Sequence, residues 1–170
     1  MDQKKFLTVM AVLDDETQRL MQKLQQRIIS SGMLGTQTMN IPFHITLGSY
    51  SPECEKELVK RISEITSNTI EISVSFPRLN TFGNTVLFAE PAVNKDLEHL
   101  HLHFDSNYGN GFPWVPHATL FCGQNNEVSK ALLLIQSQFQ PFHAKITAIE
   151  LGRFFPAEFL CRYELKKSKK

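Results

Sequence analysis

Apolar and polar positions change period several times along the chain, and each change marks an element. Phe6 to Leu13 is a nearly unbroken apolar run containing Val and Thr, which predicts a buried first strand. Asp14 or Asp15 then caps a helix whose apolar stripe is Leu20, Leu24 and Ile28, stopped by Gly32. Met33 to Ile41 is polar and rich in small residues, and reads as a loop. Ser51 before Pro52 predicts a hydroxyl cap and a helix opening on proline, with Leu58, Ile62 and Ile65 as its stripe. From Thr69 the period falls to two: Ile70, Ile72, Val74 and Phe76 alternate with polar residues in a strand that Pro77 should end. Arg78 to Phe82 and Thr85 to Ala89 flank Gly83-Asn84 as a hairpin.

The helical period returns at about Ala92, with Val93, Leu97, Leu100 and Phe104 on one face. After the loop Tyr108-Gly109-Asn110-Gly111, Asn125 or Asn126 caps a helix with the stripe Val128, Leu132, Ile135 and Phe139. Phe142 to Leu151 and Ala157 to Leu165 close the chain as strands.

One short pattern occurs twice inside this frame. Pro42-Phe43-His44-Ile45-Thr46-Leu47 and Val115-Pro116-His117-Ala118-Thr119-Leu120 both end in His, a small or apolar residue, Thr and Leu. The histidines lie 73 positions apart (117 − 44). On a strand, His44 and Thr46 share one face, roughly 6–7 Å apart, while Ile45 and Leu47 anchor the other. His117 and Thr119 repeat the arrangement. At the same offset, the helix near Ser51 falls on the one near Asn125, the strand at Thr69 on the one at Phe142, and Phe82 on Phe155. The chain therefore reads as one domain of two pseudo-symmetric halves, about 1–90 and 92–170, each giving one His-x-Thr to a shared cleft.

Composition narrows the partners. With 42 % hydrophobic and 21 % charged residues and a net charge of +1 over 170 residues, the chain is an ordinary globular protein rather than a basic clamp for long nucleic acid. Lys4, Lys5, Lys166, Lys167, Lys169 and Lys170 put much of the positive charge in the tails, where it reads as solvated. Cys54, Cys122 and Cys161 are dispersed, which suits reduced thiols in the cytoplasm. No stretch has the length of a membrane span, and the apolar run at Phe6 is too short for a signal peptide. A monomer without an obligate protein partner, a cofactor or a metal is expected.

Two histidines across a cleft suit paired proton transfer. Both titrate near neutrality, so one accepts a proton while the other donates one, and threonine hydroxyls can donate hydrogen bonds to phosphate oxygens. The tetrads His44-Ile45-Thr46-Leu47 and His117-Ala118-Thr119-Leu120, their spacing, and the segment Phe82-Gly83-Asn84 to Phe88 resemble the two-histidine (2H) phosphoesterase superfamily, with its 2′-5′ RNA ligase-like proteins and cyclic phosphodiesterases. The resemblance covers most of the chain. It departs at Phe43, where these proteins often carry proline, which affects the approach of the chain and not the acid–base pair. It implies a bilobal α+β fold, two lobes of antiparallel sheet facing a central cleft with helices outside. It also implies catalytic His44, Thr46, His117 and Thr119, acting on 2′,3′-cyclic phosphates, 2′-5′ linkages or RNA ends.

Five further residues are candidates for substrate contact by position: the aromatics Tyr50, Phe82, Trp114 and Phe155 for base stacking, and Arg153 for a phosphate. Two other readings compete. An RNA-end-binding module would keep the fold and turn over slowly. A metal-dependent hydrolase would use His99, His101 and His103, of which only His99 and His103 share a helix face. His143 reads as a lone strand residue.

Overall fold

The computed structural model describes residues 4–108, 111–124 and 126–169. Gly109 and Asn110 of the expected loop, Asn125 as a cap and Lys170 of the tail lie outside the described residues. The fold is α+β: the described residues form seven strands in one antiparallel sheet and four α-helices.

The first strand, β1 (Phe6–Leu13), is buried from Leu7 onward, as its unbroken apolar run requires. Asp14 then caps α1 (Asp15–Ser30): its carboxylate accepts from the Thr17 amide at 2.9 Å and the Thr17 hydroxyl at 3.1 Å. The buried stripe of α1 is Thr17, Met21, Leu24 and Ile28, so the core face lies one residue round from the Leu20 stripe expected. Strand β2 (His44–Tyr50) carries the first tetrad. Ser51 makes no capping bond, because a 3₁₀ turn at Pro52–Cys54 intervenes before α2 (Glu55–Asn68).

Strand β3 (Ile72–Phe82) runs through Pro77 instead of ending there. Its first part, Ile72 to Phe76, pairs with β6 (Phe142–Phe154), and its later part, from Arg78 on, pairs with β4 (Val86–Ala92). The β4 register shifts between Ser75 and Arg78. A proline with no N–H to give fits that change of partner. Gly83, at φ +51°, turns β3 into β4. Then come α3 (Lys95–Leu102), β5 (Ala118–Cys122) with the second tetrad, α4 (Glu127–Ile135), β6, and β7 (Glu158–Glu164), which pairs with β6. Asn94 caps α3, leaving Val93 outside it and exposed. Asn126 precedes α4 without a side-chain capping bond.

The strand order is β2-β1-β6-β3-β4-β5, palindromic about the β6–β3 pair. Strands β2 and β5 stand at opposite ends of this path, yet they touch. The sheet therefore curls, as a twisted sheet with bulges does, and its two end strands meet across the cleft.

Candidate active site

Each tetrad alternates as a strand should. Ile45, Leu47, Ala118 and Leu120 are fully buried, while His44, Thr46, His117 and Thr119 are partly open and line one cavity of about 650 Å³. The local build is the same twice over. His44 Nδ1 is 2.7 Å from the Pro42 carbonyl, and His117 Nδ1 is 2.8 Å from the Val115 carbonyl, both two residues upstream. A carbonyl only accepts, so each ring carries its proton on Nδ1 and leaves Nε2 as the free lone pair. Both strands also break register at the same place. Val9 pairs with Gly48 and Met10 with Thr46, bypassing Leu47; Leu87 pairs with Phe121 and Phe88 with Thr119, bypassing Leu120. Each bypassed carbonyl is met by a side chain from a helix of the other half: His101 Nδ1–H of α3 reaches Leu47 at 2.8 Å, and Gln25 Nε2–H of α1 reaches Leu120 at 2.8 Å.

Burial pushes both catalytic candidates below the ordinary histidine range. For His44 the loss of solvent acts first, opposed by the Pro42 carbonyl and aided by the charge of His117. For His117 the loss of solvent acts against the Val115 carbonyl. The unliganded site therefore holds two neutral imidazoles with both acceptors available.

The surroundings differ. On the β2 side, Gln18 clasps Phe43 through both backbone groups: Phe43 N–H donates to Gln18 Oε1, and Gln18 Nε2 donates to the Phe43 carbonyl, each at 2.8 Å. Next to the bulge, a Cβ on Gly48 would lie 1.9 Å from the Phe104 carbonyl oxygen, so only glycine lets the chain pass. On the β5 side, the His117 ring meets Phe82 edge-on at 4.8 Å and lies 5.3 Å from Phe88.

Among the further candidates, Phe155 lines the same cavity, packed edge-on against Phe6. Phe82 and Trp114 line an adjoining cavity of about 870 Å³ that shares Thr46 and His117 with the first. Trp114 is committed on two sides: its Nε1–H donates to the Thr46 carbonyl at 2.9 Å, and its ring stacks on His101 at 3.7 Å. Tyr50 and Arg153, the other two candidates for substrate contact, line neither cavity. Tyr50 sits at the far end of β2 and receives a bond from Arg61 at 3.4 Å. Arg153 is held between Glu55 and Glu158, to which its Nη2 and Nη1 donate. Of the helix histidines, His99 and His103 face each other at 4.9 Å, but His101 is buried with its Nδ1 given to Leu47. Among the described residues no three His, Cys, Asp or Glu side chains converge on one point.

Glutamines went unnoticed in the sequence. Gln18, Gln22, Gln25 and Gln26 recur at helical spacing on α1 and, with Gln37 and Asn40 of the following loop, form the wall facing the tetrads. An uncharged amide stripe opposite an apolar one is the signal that could have found them.

The model of the 2′-5′ RNA ligase superfamily matches residues 13–154. Among solved structures, TT0787 of Thermus thermophilus is similar in fold, with a TM-score of 0.62 at 13 % identity over 96 % of this chain and 100 % of that one. E. coli LigT complexed with NADP+ gives 0.58 at 17 % identity, covering 96 % and 99 %. E. coli LigT complexed with 3′-AMP gives 0.54 at 15 %, also covering 96 % and 99 %. No curated protein sequence matches the chain.

Proposed function

The chain belongs to the 2′-5′ RNA ligase superfamily of two-histidine phosphoesterases, and from that premise we propose that it is a metal-independent phosphoesterase for 2′,3′-cyclic phosphates, 2′-5′-linked nucleotides or RNA ends. The observation that carries this reading is the duplicated His-x-Thr build, with two free Nε2 lone pairs on one cavity.

In the hydrolytic direction, a neutral imidazole takes a proton from water as the oxygen attacks phosphorus. The second imidazole, protonated, gives its proton to the leaving ribose oxygen as the P–O bond breaks. Thr46 and Thr119 donate to the non-bridging oxygens, where charge develops. An anionic phosphate between the rings favours the imidazolium that the free site disfavours. Burial opposes protonation of both rings and their charges repel each other, so one ring serves as base while the other serves as acid. The palindromic strand order supports two related halves with one motif each, and favours their junction at the 83–85 turn over the 90–92 break.

The test is turnover of 2′,3′-cyclic nucleotides and 2′-5′ dinucleotides in excess EDTA. Activity in chelator is expected. Loss of activity in EDTA, restored by zinc or manganese, would move the chemistry to His99 and His103.

A further inference from the structure

The tetrads face an unusual wall. Every residue lining the first cavity is uncharged apart from what the histidines themselves can take up; among the described residues no Lys, Arg, Asp or Glu reaches it. Of the amides on that wall, three are already spent on the backbone: Gln18 on Phe43, Gln25 on Leu120, and Gln37 on Leu34 and Cys122. Gln22 and Gln26 are exposed one turn apart on the same face, and no hydrogen bond within the described residues engages either amide. Of the three cations of α1, Arg19 and Lys23 line a different depression beside Phe139, and Arg27 lines neither that depression nor the tetrad cavity. On the other flank of the tetrads, the adjoining cavity has Asp105 as its one charged lining residue among those described, and a carboxylate there repels an anion too.

Such a cleft can neutralise one phosphate and little more. A diester monoanion between the two histidines and two threonines is matched. A second phosphate on either flank would lose water and gain neither an ammonium nor a guanidinium, the groups that ordinarily receive it. Amides, by contrast, suit a nucleobase edge or ribose hydroxyls, since each offers both donors and an acceptor.

Resting on the phosphoesterase reading above, we propose that the amide wall, with Gln22 and Gln26 as its unengaged groups, makes the site select a nucleotide-sized substrate whose reacting diester is its only negative charge. The terminus beside that diester is then a free hydroxyl rather than a phosphate, and the substrate is a small nucleotide rather than a strand.

The experiment compares adenosine 2′,3′-cyclic phosphate with the same molecule carrying a 5′-phosphate, by calorimetric binding and by turnover. The singly charged ligand is expected to bind tighter by about tenfold or more at low salt, and high salt should narrow the gap. The double variant Gln22→Lys, Gln26→Lys should bring the two ligands to within about threefold, by supplying the absent cations. Both positions are exposed and lysine is as good a helix former as glutamine, so folding is spared. Equal binding, preference for the doubly charged ligand, a ratio unmoved in the lysine variant, or binding of neither ligand would overturn the proposal. So would tighter, steeply salt-dependent binding of a single-stranded oligonucleotide. If the ligands bind in the expected order but neither is turned over, the charge selection stands and the phosphoesterase reading falls; equal binding with turnover gives the reverse.

Discussion

Strands β2 and β5 carry the same tetrad in the same local build, and the comparison between them separates what the chemistry needs from what the fold allows. Shared are the Nδ1 anchor two residues upstream, the register break after threonine, and the helix side chain on the bypassed carbonyl. These three together aim Nε2 and the threonine hydroxyl into the cleft. The rest of the surroundings differ. The β2 side is further braced by polar contacts to Gln18 and Trp114; the His117 ring on the β5 side leans on Phe82 and Phe88. Orientation has been kept twice, while its support has been built once from hydrogen bonds and once from rings.

The comparison breaks most completely at the histidines. Replacing either His44 or His117 by Ala should slow turnover by roughly 10²–10⁴-fold with the fold intact by circular dichroism. The double variant should be hardly slower, since groups acting as a unit do not add. In rate–pH profiles, one single variant should lose the acidic limb, where the base becomes protonated, and the other the alkaline limb, where the acid loses its proton. Two variants losing the same limb would sink the division of roles between the strands.

Thr46→Ala and Thr119→Ala come next. Each removes one donor to an anionic phosphate, a bond of about 1.5–3 kcal/mol, so single-turnover rates should fall by about 10- to 100-fold. A threonine whose loss changes nothing would show that its strand supplies only the imidazole.

The two braces are unequal, and their removal sharpens the contrast. His101→Ala strands the buried Leu47 carbonyl and leaves Trp114 without its stacking partner, so chemical denaturation should show a loss of about 1–3 kcal/mol or more, with slower turnover. Gln25→Ala acts at Leu120 from a half-buried position that water can enter, so its cost should stay below about 1 kcal/mol. Equal costs would mean that the aromatic side needs its helix contact as much as the polar side does.

The smallest effect is in stability against pH. Both histidines fold with pKa values below the unfolded value near 6.5. The unfolded chain thus binds more protons, so stability is full above about pH 6.5 and declines as pH falls below it toward the folded values. His44→Asn and His117→Asn should each flatten that decline, because burial holds both rings below the ordinary value. Thermal melts between pH 5 and 7.5 measure this (about one unit either side of the unfolded pKa).

Much of this was legible in residue order. The run Phe6–Leu13, the Asp14 cap and the period-two tetrads each express a local rule, and the structure follows them. What was hidden depends on partners far along the chain. Pro77 looks like a strand end until β3 is seen to exchange β6 for β4 there. Arg153 looks like a phosphate ligand until Glu55, 98 positions away, is found against it. That Trp114 also ties Thr46 to His101 shows only in the fold. The glutamine wall was missed because amides neither titrate nor stand out in a hydropathy pattern, although their spacing was visible.

The palindromic strand order also has a meaning for how the chain comes together. Among the strands before the 83–85 turn, β3 pairs with neither β1 nor β2; its neighbours are β4 and β6, both beyond that turn. Beyond the turn, β6 likewise crosses to β1. On the proposed reading of two related halves, this pairing is that of a strand-exchanged dimer joined into one polypeptide. A fragment ending at the turn would present β3 as an unpaired edge eleven residues long. Such a fragment should associate with itself, or recapture its missing half when the two are mixed, rather than persist as a small folded unit.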